Sequence, residues 1–160
     1  MCSEGGVRGS WTSEEVFQQI HSLLDHLAEE ELTSVPAESM GNDQIALQRI
    51  GNRVQAEALR RLRRFDTGQG FVSSGALSAK AWLRWRCNLT GPNASGMVEV
   101  SRQLASLPQV TQALADGDIS YRHASLIAST AADLGDMMEA NAEEILVTAA
   151  KQLEIGREHV

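Results

Sequence analysis

Residues 43–65 read DQIALQRIGNRVQAEALRRLRRF, Asp43 to Phe65, and this stretch decides the fold class. Leu47, Ile50, Val54, Ala58, Leu62 and Phe65 recur in steps of three and four, which keeps them on one side of an α-helix. Asn42 or Asp43 stands where the cap of that helix belongs. At about 100° per residue, Arg49, Arg53, Arg60, Arg63 and Arg64 fall in one arc roughly 100° wide, opposite the apolar stripe. Arg61 lies beside the stripe instead. Five like charges on one face repel each other unless something negative covers them. The acidic helices of the same chain are the expected cover, and nucleic-acid phosphate is the other candidate.

Helical patterns continue in both directions. Upstream, Thr12-Ser13-Glu14-Glu15 reads as a capping box ahead of Val16, Ile20, Leu23, Leu24 and Leu27, with a break at Ser34-Val35-Pro36 and a loop over 36–42. Downstream, Asp66-Thr67-Gly68-Gln69-Gly70 opens a connecting loop without the Lys-Ser/Thr ending of a phosphate-binding loop. Ser78 caps a helix to about Asn88, with Trp82 and Trp85 expected as core anchors. After the turn Leu89-Thr90-Gly91-Pro92-Asn93, a longer helix turns Ala94, Met97, Val98, Ser101 and Leu104 inward. A short helix spans 108–116, Ser120 caps the next with Ala124, Ile127, Ala128 and Ala131 on one face, and a last helix covers about 136–155. Its inward residues are Ala142, Ile145, Leu146, Ala149 and Leu153. No alternating strand pattern competes, so the expected fold is all-α: a multi-helix bundle of about six to seven helices in a single domain over 12–155. A flexible start (1–11) and a short tail (156–160) flank it.

Composition agrees. With 160 residues, 42% hydrophobic and 22% charged, the chain suits one domain with a proper core, and 4% aromatic content favours helices over strands. It has no apolar run of about 18 residues and no signal-peptide pattern, which excludes membrane and secreted classes. Cys2 and Cys87 cannot build a disulfide framework, so a cytoplasmic setting is expected. The net charge of −7 conceals a division. Residues 1–48 hold nine acids against Arg8, residues 49–108 hold ten bases against Glu57, Asp66 and Glu99, and residues 109–160 hold nine acids against three bases.

Leu107-Pro108, Ala113-Leu114, Gly117, Ile119-Ser120 and His123-Ala124, placed behind two helices and a short turn, resemble the DNA-binding core of the ParB partition family. A longer pattern adds Phe65-Asp66, Gly75-Ala76-Leu77-Ser78, Ala81-Trp82-Leu83, Leu89-Thr90, Ala94 and Arg102-Gln103-Leu104. Together these are similar to the domain of unknown function 222, or 13E12 repeat, family over about 12–155. That resemblance implies a helical module of the kind usually found in front of an HNH nuclease module, and a helix-turn-helix-like unit within it.

HNH chemistry needs a metal-binding His, a general-base His and an orienting Asn or His on a ββα finger, often beside paired cysteines holding zinc. His21 and His26 are five apart on one helix, His123 opens another, His159 is next to last, and no Cys-x-x-Cys occurs. The chain is therefore expected to lack the catalytic module, to be no enzyme, and to hold no cofactor or metal. Cys87 reads as a buried or half-buried structural thiol and His123 as a packing or capping residue. Glu143 and Glu144, adjacent on a helix, point about 100° apart and share no acid–base site.

Two readings of function remain. In a helix-turn-helix the second helix reads bases and flanking cations grip phosphate. Asn93, Ser95, Arg102 and Gln103 are the candidates on the second helix, Lys80, Arg84 and Arg86 on the first, and the arginine face of 49–64 extends the grip on double-stranded DNA. The alternative is an interaction scaffold that docks a nuclease module or a second copy of the chain.

Overall fold

The structure, a computed structural model, describes residues 10–135 and 141–155. The expected flexible start up to residue 9, the first residues of the last expected helix (136–140) and the tail 156–160 lie outside the described residues. Among the described residues there are seven α-helices and no strand: α1 (Ser13–Ala28), α2 (Ala37–Thr67), α3 (Ala79–Arg86), α4 (Gly91–Gln103), α5 (Pro108–Asp116), α6 (Tyr121–Leu134) and α7 (Ala142–Ile155). Short 3₁₀ turns stand at Leu32–Ser34, Val72–Ser74 and Leu104–Ser106. The all-α multi-helix fold is as expected.

The chain forms two compact units, 1–41 and 42–160. In the first, the Thr12 hydroxyl accepts from the Glu15 amide at 3.2 Å and the Glu15 carboxylate accepts from the Thr12 amide at 2.7 Å, so the capping box is formed. Helix α1 has no buried residue. The expected loop over 36–42 is helical instead. Pro36 stands just ahead of α2, where a missing amide proton costs nothing, and the helix runs through Gly41.

In the second unit, two adjoining apolar clusters hold the helices together. One gathers Leu59 of α2, Val100 of α4, Val110 and Leu114 of α5, Ile119, Ala124, Ile127 and Ala128 around α6, and Val147 and Ala150 of α7. The other gathers Leu62, Ala79, Leu83, Ala94 and Val98, with Phe65, Phe71 and Trp82 against it. Phe65 and Trp82 lie 4.7 Å apart between ring centroids. Burying Leu114 and Leu59 almost completely makes each worth about 2–5 kcal/mol against Ala.

The expected stripe of α2 faces inward only at its C-terminal end. Leu62 is buried and Phe65 packs against the core as expected, but Leu47, Ile50 and Val54 are 41–52% exposed and Ala58 is exposed, while Leu59 is buried and Asn52, Gln55, Ala56 and Asp66 are half-buried. Positions 52, 55, 59, 62 and 66 also step by three and four, so two registers interleave on one helix. Hydrophobicity favours the wrong one because Asn52, Gln55 and Asp66 are polar. The buried arc is turned by about 120° from the apolar stripe. Two further expectations fail on α3: Trp85 is 64% exposed, its ring under the Arg86 guanidinium at 5.3 Å, and Cys87 is exposed. Trp85 lies on the side of α3 turned away from the Ala79 and Leu83 face that meets α4, and Cys87 stands just past the end of the helix. On α7, Ile145 and Ala149 are exposed and Val147 and Ala150 are buried in their place.

Polar locks fix the second unit. Gly117 ends α5 at φ +81°, and a Cβ there would stand 2.8 Å from the Arg49 carbonyl oxygen, so backbone and space both demand glycine. Next to it, Asp118 accepts from Arg49 at 3.0 Å and from Lys151 at 2.8 Å, tying α2 and α7 to the α5–α6 turn. Glu143 of α7, a buried carboxylate, accepts from the Gln109 and Val110 amides at 2.7 and 3.0 Å. It thus caps the α5 N-terminus from another helix, supplying the acceptor that Leu107 cannot.

Candidate nucleic-acid interface

Helix α3, the turn 87–90 and α4 make a helix-turn-helix-like pair. Each helix begins on a hydroxyl cap: Ser78 Oγ accepts from the Ala81 amide at 3.1 Å and Thr90 Oγ1 from the Asn93 amide at 3.4 Å. Ala79 and Leu83 pack on Ala94 and Val98, which turns Ser95, Glu99, Arg102 and Gln103 away from that contact.

The groups expected to read bases are partly engaged within the chain. Arg102 donates through Nε and Nη2 to the two carboxylate oxygens of Asp66 at 2.7 and 3.1 Å, and the Asp66 side chain is only 9% exposed. Gln103 donates to Glu99 at 3.3 Å. Asn93 is exposed and Ser95 is half-buried. Direct readout from α4 therefore rests on few unoccupied groups.

The arginines of α2 divide into two sets. Arg49 pairs with Asp118, and Arg60 and Arg61 share Glu57 at 2.7 and 2.6 Å one turn back on the same helix. Two hydrogen bonds from Arg60, aided by Arg61, bring the Glu57 carboxyl down to about 2 against the burial that opposes it. Arg53, Arg63 and Arg64 are exposed and make no ion pair among the described residues. Arg53 packs its stem over Gly117, and Arg64 covers Gly68, where a Cβ would meet its Nη1 at 3.0 Å. Arg60 and Arg63 border a cleft of about 70 Å³ between α2, α4 and α5, floored by Leu59, Leu104 and Leu114. That is far below the roughly 300 Å³ of a small-molecule site, so the cleft suits no ligand of that size. Lys80, Arg84 and Arg86 on α3 are exposed as well, with Arg84 beside Gly91 at the start of α4.

The internal counter-charges were the residues that sequence reading passed over. Glu57 was legible from its three- and four-residue spacing to Arg60 and Arg61. Asp66 and Asp118 were not, because their partners lie 36 and 69 positions away. Leu77, 95% exposed, and Trp85 had no signal distinguishing them from core residues. His123 behaves as expected: its amide donates to Ser120 Oγ at 3.3 Å and its Nδ1 lies 3.0 Å from the same oxygen. Among the described residues no three His, Cys, Asp or Glu side chains gather where they could hold a metal, and no helix is long and apolar enough to cross a membrane.

An all-α unit with a helix-turn-helix-like pair and exposed cations on both α2 and α3 is the class defined so far. The family described as Domain of unknown function (DUF222) matches residues 44–157, and the chain belongs to it. The match begins within two residues of the second compact unit, so α1 lies outside it. No curated protein and no solved structure matches the chain.

Proposed function

We propose that this chain is a non-catalytic, cytoplasmic helical module that contributes binding to double-stranded DNA, chiefly through phosphate. The observation that carries the reading is the set of exposed cations, Arg53, Arg63, Arg64, Lys80 and Arg84, without an ion pair among the described residues. Cations left open on a folded surface are the groups that release counterions on meeting a phosphate backbone. The helix-turn-helix-like pair supports the same reading, with α4 as the helix that approaches a groove and α3 as the one that crosses the backbone. Because Arg102 is held by Asp66, the binding expected is weakly sequence-selective. The resemblance to modules that accompany HNH nucleases supports a supply of affinity to a nuclease, with the chemistry residing outside these helices.

The test is fluorescence anisotropy of a labelled duplex over a salt series. Five phosphate contacts give log K against log salt a slope of about −4 to −5. No binding at low salt overturns the reading.

A second reading, an interaction scaffold, is favoured by one observation: Leu47, Ile50 and Val54 form an exposed apolar stripe on a helix that also carries the arginines. On this reading the module docks a nuclease module or another copy.

A further inference from the structure

Of the aromatic side chains in the second unit, Phe65, Phe71, Trp82 and Tyr121 pack against the two apolar clusters, and Trp85 does not. Trp85 is 64% exposed in the last turn of α3, with the Arg86 guanidinium over its ring at 5.3 Å. Its indole lies about 140° around the helix from the Ala79 and Leu83 face that meets α4. Arg84 stands on the same outer side, with Lys80 one turn before it.

The charge along this part of the chain has one sign. From Thr67 to Val98 there are Lys80, Arg84 and Arg86 and no Asp or Glu. All three cations are exposed and make no ion pair among the described residues. The carboxylates that flank this segment in sequence are engaged elsewhere: Asp66 accepts from Arg102, and Glu99 accepts from Gln103 on the side of α4 turned away from α3.

We infer that this outer corner of α3 receives an unpaired nucleobase, stacked on the Trp85 indole, with the phosphates beside it held by Lys80, Arg84 and Arg86. On the DNA reading above, on which this rests, the ligand class narrows to DNA with a base outside the helical stack. A nucleobase is flat, as stacking on an indole requires, and its flanking phosphates need cations at the rim of the platform. The cation–π contact with Arg86 steadies the ring before any base arrives, so less side-chain freedom is lost on binding. An intact duplex keeps its bases stacked and offers the indole no face, whereas a base without a partner costs least to turn out. In the helix-turn-helix-like pair α3 is the helix that crosses the backbone, so Trp85 meets a base turned outward and not the floor of a groove.

Fluorescence anisotropy of the full chain on a labelled intact duplex, and on the same duplex with one extra unpaired adenine, is the test. Wild type is expected to bind the second about tenfold more tightly, the size of one base–indole stack. Trp85→Ala alters an exposed position, so it is expected to keep the helical circular dichroism and the intact-duplex affinity while the preference disappears. Trp85→Phe, which keeps an aromatic face, retains part of the preference. Equal wild-type affinities for the two duplexes overturn the inference and leave the phosphate reading standing. A preference that survives in Trp85→Ala overturns it too, because the extra base is then recognised without the indole. No binding to either duplex at low salt removes both.

Discussion

Arg102 and Asp66, 36 positions apart, are joined by a two-pronged hydrogen-bonded ion pair that fastens the end of α2 to α4. Asp66 is nearly buried beside Phe65, at the edge of the cluster that holds α3 and α4 together. The side chain best suited to read guanine is thereby also a structural tie. Asp66→Ala is expected to cost about 1–2 kcal/mol in urea unfolding, at the lower end for charged hydrogen bonds because Arg102 is open to water. An unchanged unfolding midpoint means the pair does no structural work.

Glu143 closes the other end of the second unit. Its carboxylate takes both amides at the start of α5 while itself buried, so mutation leaves the amide of the buried Val110 without its acceptor. Glu143→Ala is expected to cost about 2–3 kcal/mol, and Glu143→Gln less, because the amide oxygen still accepts. Thermal unfolding of both variants measures this, and equal losses contradict the capping role.

Stability should fall in acid, with a direction fixed by two carboxyls. Hydrogen bonding from Arg60 places the Glu57 carboxyl at about 2 against an ordinary 4.5, and the bond from Lys151, with Arg49 nearby, lowers that of Asp118. A carboxyl whose folded pKa lies below its unfolded one favours the folded state above the unfolded value. It loses that contribution as pH falls through the folded value. For Glu57 the loss therefore runs from pH 4.5 down to about 2. Both groups are partly exposed, so the effect is small. Melting temperatures at pH 6, 4 and 3 should decline, and the decline should be shallower in Asp118→Asn. A steeper decline in that variant contradicts the assignment.

The helices and their caps were legible because they are local. Thr12, Ser78, Thr90 and Ser120 each accept from an amide three positions on, and the spacing of Leu83, Val98, Leu114 and Ile127 marks faces that are buried. The orientation of α2 was not legible. A helix with two interleaved three-four registers has two possible inward sides, and the one used, through Asn52, Gln55 and Asp66, is selected by what α4 and α5 offer it. The same limit applies to the candidate site. The cationic residue types and their clustering were plain in the sequence, but which cations are neutralised depended on Asp66 and Asp118, distant in the chain. Trp85 escapes burial because it lies about 140° around α3 from the face of Ala79 and Leu83, although only three positions separate it from Trp82.

The phosphate grip proposed for this protein rests on the arginines of α2 that make no ion pair among the described residues. The most direct measurement is the salt dependence of duplex binding for the wild-type chain and for Arg53→Ala/Arg63→Ala/Arg64→Ala. None of the three makes an ion pair among the described residues, so the variant should fold as the parent does. Losing three phosphate contacts should make the slope of log K against log salt shallower by about 2.5–3. Identical slopes in the two proteins contradict the claim.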